Sequence, residues 1–224
     1  MIRHEAEGFT YVIEEGSGSR LLICLHGTGG DEESLIGFAR TIAPDATLVG
    51  VRGRAPEGDV NRWFARHAPG VLNEEDLLQR THELASFVQS LSASPTLRDS
   101  AGGSDSALKR DSAGRKMVAF GFSNGANIAA SLLLAYPGLL DAAVLFRAMM
   151  PFRESLPFDR PDLGGTPVYL ATGESDSMIP RESSDRLADT LRDCGADLVH
   201  EVSERGHRFS RAEVEAAGRW LARL

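Results

Sequence analysis

The segment Gly121-Phe122-Ser123-Asn124-Gly125 sets a serine between two glycines at G-x-S-x-G spacing. A serine hydroxyl attacks a carbonyl only when a base takes its proton and an acid holds that base. Around such a motif the partners follow in the order serine, acid, histidine. Two histidines lie downstream. His200 falls inside a strand pattern and reads as a strand residue. His207 follows Gly206 in a short loop before Ser210 and is the candidate base. For the acid, Asp176 stands one strand earlier in the segment Gly173–Pro180, with Glu174 as the competing carboxylate. A tetrahedral intermediate also needs N–H donors for its oxyanion. Asn124 N–H, directly after the serine, is one. Thr28 N–H, in His26-Gly27-Thr28-Gly29-Gly30, is the second, because small residues let backbone approach a reacting carbonyl. His26 precedes the nucleophile and reads as a hydrogen bonder shaping that loop. The plainer alternatives are a glycine-rich turn with an ordinary N-cap serine, and a glycine-bounded turn after a strand.

These residues need a frame. Short apolar runs at Leu21–Leu25, Thr47–Val51, Met117–Gly121, Ala142–Phe146 and Val168–Ala171 suit strands buried on both faces of a parallel sheet. Phe9–Glu14 alternates like an edge strand, and Asp197–Val202 reads as a last strand. Helical patterns occupy Glu32–Ala43, Glu74–Leu91, Asn124–Tyr136, residues 180 or 181 to Cys194, and Ser210–Leu224. The last opens with a Ser210-x-x-Glu213 capping box. Strand and helix in alternation predict an α/β fold, a mostly parallel sheet with helices on both faces. Right-handed crossovers then bring the strand C-termini to one rim, where Ser123, Asp176 and His207 all fall. Ser92–Gly114 breaks the rhythm. It is rich in Ser, Gly and Asp, and Arg98-Asp99-Ser100-Ala101-Gly102 recurs as Arg110-Asp111-Ser112-Ala113-Gly114, which predicts a flexible insertion.

Composition narrows the classes. With 224 residues the chain is expected to form one domain, and 42% hydrophobic content supports a sizeable core. Lys and Arg number 24 against 32 Asp and Glu, a net charge of −8. That balance disfavours a phosphate-tracking nucleic-acid binder and a polybasic membrane-surface protein. Met1–Gly16 carries Glu5, Glu7, Glu14 and Glu15 and no apolar run, unlike a signal peptide. The longest apolar stretch, Ile128–Phe146, is broken by Pro137, Gly138 and Asp141, so no membrane insertion is expected. Cys24 and Cys194 cannot build a disulfide framework or a cysteine-rich metal site, and a cytoplasmic location is expected.

The oxyanion-type loop at His26, the serine motif, Gly173-Glu174-Ser175-Asp176 before Ile179-Pro180, and Gly206-His207 before a capped helix come in a telling order. Together they resemble the serine α/β-hydrolases, specifically the phospholipase/carboxylesterase family that includes acyl-protein thioesterases. The resemblance spans about Tyr11 to Leu224. Arg52-Gly53-Arg54, Arg62-Trp63-Phe64, Glu74-Glu75-Asp76-Leu77 and Ser123-Asn124-Gly125-Ala126-Asn127 look like a bacterial carboxylesterase branch. The resemblance implies a single-domain hydrolase with no lid domain and the triad Ser123, Asp176 and His207. Two departures stand out. Acyl-protein thioesterase-like members usually carry Leu after the His-Gly of the oxyanion loop and Gln after the nucleophile, where this chain has Thr28 and Asn124. Both donors are backbone amides, so the change bears on pocket shape.

Trp63, Phe64, Met149 and Met150 follow rim strands and are candidates for the substrate wall, with core packing as the alternative. The expected activity is hydrolysis of short-chain carboxylic esters through an acyl-enzyme on Ser123, with no metal and no cofactor. Its partner is a small-molecule ester or thioester, and a homodimer is compatible with it. The rivals are an acyl-protein or acyl-CoA thioesterase using the same triad, and a non-catalytic hydrolase-fold binding protein.

Overall fold

The computed structural model describes residues 1–68, 70–93 and 114–224. Its central sheet has eight strands: β1 (Ile2–Ala6), β2 (Phe9–Glu14), β3 (Arg20–Leu25), β4 (Thr47–Val51), β9 (Lys116–Phe122), β10 (Ala142–Phe146), β11 (Pro167–Gly173) and β12 (Asp197–Ser203). Their spatial order is β1-β2-β4-β3-β9-β10-β11-β12. β1 pairs antiparallel with β2, and β2 antiparallel with β4; every other pairing is parallel. Two small hairpins, β5 (Ala55–Glu57) with β6 (Val60–Arg62) and β7 (Arg66–Ala68) with β8 (Val71–Leu72), lie outside it.

Alternation along the buried strands divides the core in two. Leu21, Ile23 and Leu25 of β3 and Val168 and Leu170 of β11 face one side. There they pack with α2 (Glu74–Ala93), α3 (Asn124–Ala135) and α4 (Arg181–Asp193). Leu22, Cys24, Val144, Phe146, Tyr169 and Ala171 face the other, against α1 (Ile36–Ile42) and α5 (Arg211–Leu221). Helices therefore cover both faces, as the alternation predicts. α3 is buried from Asn124 to Leu134, and its Ser131 hydroxyl meets that of Thr81 on α2 at 2.8 Å.

Three elements depart from the expectations. The strand β1 was not foreseen, because it is exposed and its side chains do not alternate between apolar and polar. It joins β2 through Glu7-Gly8, both at positive φ, the two-residue turn that suits a twisted hairpin. α1 begins at Ile36 and not at Glu32. Asp31 and Ser34 bond each other's backbone and side chains in a local turn, while Glu32 is drawn inward to Arg3 and Arg52, each at 2.6 Å. The hairpins β5–β6 and β7–β8, between β4 and α2, are additional to the elements that the sequence pattern predicts. Of the expected insertion Ser92–Gly114, Ser92 and Ala93 belong to α2, Gly114 leads into β9, and residues 94–113 lie outside the described residues.

Candidate active site

Ser123 sits between the end of β9 and the first turn of α3, in a strained conformation (φ 52°, ψ −115°). Its N–H donates to Phe146 O at 2.8 Å, tying the turn to the neighbouring strand. The flanking glycines are steric necessities. A Cβ on Gly121 would lie 2.6 Å from Ala126 Cα, and one on Gly125 would lie 1.9 Å from Leu25 O. The Ser123 side chain makes no capping bond to α3, so the ordinary N-cap reading fails. Its hydroxyl instead meets His207 Nε2 at 3.0 Å.

His207 lies in the loop between β12 and α5. Its Nδ1 is 2.9 Å from Asp176 Oδ2, and a carboxylate there requires the Nδ1–H tautomer. Asp176 is itself fixed by the N–H groups of Met178 (2.8 Å) and Ile179 (3.1 Å), both donating to its Oδ1. Its loop is stitched to the histidine arm, since Glu174 N donates to Ser203 O and Ser175 N to Arg205 O. Ser123, His207 and Asp176 thus form one unbroken hydrogen-bonded chain. Glu174, the competing carboxylate, turns outward to Arg181. His200 remains a half-buried residue of β12, bonded through Nε2 to Thr172 Oγ1 at 2.8 Å.

The loop after β3 is held from several directions. His26 Nδ1 donates to Gly27 O at 2.6 Å, and its Nε2 accepts from Gly53 N–H at 2.9 Å. The ring is thereby fixed as the neutral Nδ1–H tautomer, and burial pushes its pKa below the usual histidine range. Gly29 N donates to Asn61 O, and Asn61 Nδ2 returns a bond to Gly30 O, so β6 clasps the loop. Thr28 and Asn124 both line the small cleft of about 60 Å³ in front of Ser123 and His207. The Asn124 side chain is itself tied down, its Oδ1 accepting from Trp63 N–H at 2.7 Å.

Of the expected wall residues, Met149 lines the cleft, with its N–H held by Asn127 Oδ1 at 2.9 Å. The other three are core residues. Trp63 and Phe64 are fully buried in the layer under α2 and α3, and the Trp63 indole N–H donates to His26 O at 2.8 Å. Burying an indole with its polar atom satisfied stabilises the core, which leaves Trp63 no surface for substrate. Met150 is buried and bonded through its N–H to Ser183. The wall is formed instead by Arg62, Arg66, Leu72, Asn127, Met178 and Ile179. A sequence signal for part of it was present, since Gly58-Asp59 between Glu57 and Val60 is a hairpin turn pair.

Arg147 was also missed. Its guanidinium is buried beneath the histidine loop and pairs with Glu213 Oε1 at 2.8 Å. Burial alone would raise the Glu213 carboxyl, but bonds from Arg147 and Ser210 outweigh it and hold the group below the usual carboxylate range. Ser210 and Glu213 also form the expected capping box at the start of α5. Among the described residues no three His, Cys, Asp or Glu side chains are grouped so as to hold a metal ion.

The chain is similar to known proteins. The phospholipase/carboxylesterase family model matches residues 103–224. The chain is 38% identical over 210 residues to MhqD of Bacillus subtilis, which bears the name of a hydrolase, covering 94% of this chain and 96% of that one. A Bacillus cereus carboxylesterase structure superposes with a TM-score of 0.84 at 33% identity, over 96% of this chain and 94% of its own. A carboxylesterase from Mesorhizobium loti gives 0.81 at 30% identity, again over 96% and 94%.

Proposed function

From the premise that the chain belongs to the phospholipase/carboxylesterase family of hydrolases, we propose that it is a serine carboxylesterase acting on short-chain esters. The observation that carries the reading is the chain of contacts from Ser123 Oγ to His207 Nε2 (3.0 Å) and from His207 Nδ1 to Asp176 (2.9 Å). In it, Ser123 Oγ attacks the ester carbonyl while His207 Nε2 takes the hydroxyl proton. Asp176 keeps the imidazole in the right tautomer and stabilises the imidazolium. The Thr28 and Asn124 N–H groups receive the developing oxyanion. The tetrahedral intermediate collapses, the C–O bond to the leaving alcohol breaks, and His207 passes its proton to that oxygen. Water, deprotonated by His207, then attacks the acyl-enzyme and releases the acid and free Ser123.

The cleft of about 60 Å³ supports the short-chain assignment. Sites that enclose drug-sized ligands run to roughly 300–1,000 Å³. Free, buried Cys24 and Cys194 suit work in the reducing cytoplasm. Of the rivals, a thioesterase would use the same groups, and a binding protein would not need the intact hydrogen-bonded chain.

Labelling by a fluorophosphonate, with wild type against Ser123→Ala, tests the mechanism. The variant is expected to lose the label and roughly 10⁴–10⁶-fold in kcat on an activated ester. A labelled, active Ser123→Ala protein would end the serine reading. On p-nitrophenyl esters, kcat/KM should peak at about two to six acyl carbons, because each added CH₂ gains ~0.8 kcal/mol only if it leaves water. A steady rise to palmitoyl would refute the short-chain assignment, and a matched thioester series hydrolysed faster would move the reading to thioesterase.

A further inference from the structure

Two adjacent residues at the end of β10 hold the two arms of the site. Phe146 O accepts the N–H of Ser123 at 2.8 Å. Arg147, the next residue, is non-glycine yet left-handed (φ 56°), and its side chain is buried. Its N–H donates to Ala171 O at 2.8 Å. Its guanidinium then reaches four acceptors. Nε donates to Gly206 O (2.9 Å) and Nη2 to Arg208 O (3.3 Å), the carbonyls on either side of His207. Nη1 donates to Ala171 O (3.2 Å), and Nη2 also to Glu213 Oε1 (2.8 Å). Glu213 accepts in turn from Ser203 Oγ and Ser210 N–H, so both ends of the histidine loop converge on one ion pair. Gly173 makes room for this. A Cβ there would lie 2.5 Å from Arg205 O, 2.6 Å from Gly206 O and 3.1 Å from Arg147 Nε.

We propose that Arg147 is a positioning residue that sets the distance between His207 and Ser123, an inference that rests on the triad reading above. A rigid fork of five donors can bind both shoulders of a loop at once; an ammonium, whose three donors share one nitrogen, cannot. Left-handed non-glycine residues persist where the surroundings over-determine them and cluster at active sites. Ser123 and Arg147 are two such residues, at the ends of paired strands. Because Phe146 holds the nucleophile and Arg147 the base, one backbone turn registers the two against each other.

The test uses Arg147→Lys, which retains a charge for Glu213, and the double variant Arg147→Met/Glu213→Gln, which leaves no unpaired buried charge. Thermal unfolding establishes the folded fraction. In folded protein, kcat on a short ester should fall about 100-fold with KM little changed, as for a base displaced by about 1 Å. The downfield proton resonance of His207 Nδ1–H, assigned by its loss in His207→Ala, should shift or broaden. A folded variant with kcat within about 3-fold of wild type and an unmoved resonance overturns the proposal. So does a loss of kcat that only tracks the loss of folded protein. An active Ser123→Ala would end the triad reading alone, because the resonance would still report whether Arg147 holds His207.

Discussion

Adding one methyl group at Gly125 or at Gly37 should have opposite effects. At Gly125, an ideal Cβ would lie 1.9 Å from Leu25 O, 2.4 Å from Leu25 C and 2.5 Å from His26 O. All three are backbone atoms of β3 and its exit, and none can swing aside as a side-chain end would. Ordinary contact begins at 3.4 Å, so α3 must retreat from β3 by about 1.5 Å before the methyl fits. Overpacking of this kind destabilises by about 1–3 kcal/mol. At ~2–4 °C per kcal/mol for a chain of this length, Gly125→Ala should melt about 2–12 °C lower. The retreat also carries Ser123 and the Asn124 N–H away from the Thr28 loop. A misplacement near 1 Å takes about 100-fold from the rate, and the loss should fall on kcat. Gly37, exposed in α1, has nothing within 4 Å of its missing Cβ and an ordinary φ. Gly37→Ala should gain ~0.5–1 kcal/mol of helix propensity, or about 1–4 °C, with unchanged rates. Thermal unfolding and initial rates on a butyrate ester read both. If Gly125→Ala melted with the wild type and kept its kcat, the close approach of the elbow to β3 would not be what requires glycine there.

What the sequence made legible follows from how each residue is held. β3, β4, β9, β10 and β11 are buried on both faces, so their apolar runs announce them. Ser123 and Asp176 follow two of those rim ends, β9 and β11, and His207 follows the end of β12. What separates the two histidines is that His207 stands in a short loop and His200 falls inside the strand pattern. β1 gave no such sign because it is an exposed edge, and the β5–β6 hairpin is only three residues a side with a proline in it. The polar framework was hidden for a different reason. Arg147 and Glu213 are 66 residues apart, and Glu32 is bound by Arg3 and Arg52 from opposite directions along the chain. Nothing local distinguishes these arginines from surface ones until the topology supplies their partners. The methionine pair shows the limit within two residues. Met149 enters the cleft while Met150 turns to the core, a choice made by Asn127 and Ser183 holding successive N–H groups.

Two further outcomes follow from the site. Asp176→Asn should lower kcat by up to ~10⁴-fold through the wrong imidazole tautomer. Glu174→Gln, at an exposed pair with Arg181, should change it by less than about 3-fold, and a reversed ranking would reassign the acid. The second outcome is a pH dependence of stability set by the loop after β3. His26 is buried, and its Nε2 already accepts the Gly53 N–H, so protonation must break that bond as well as charge a buried ring. The folded protein therefore binds this proton more weakly than the unfolded chain, where the ordinary histidine value of about 6.5 applies. The unfolded state gains protons first as the pH falls, so the stability due to His26 is full above about pH 6.5 and is lost below it. His200, also held low by burial, adds to the same slope. Denaturant unfolding between pH 5 and 8 should show stability rising with pH, and His26→Gln, whose amide cannot take up a proton, should flatten the rise. An equal slope in wild type and His26→Gln would mean that the ring is protonated in place, and the tautomer read from Gly27 and Gly53 would be wrong.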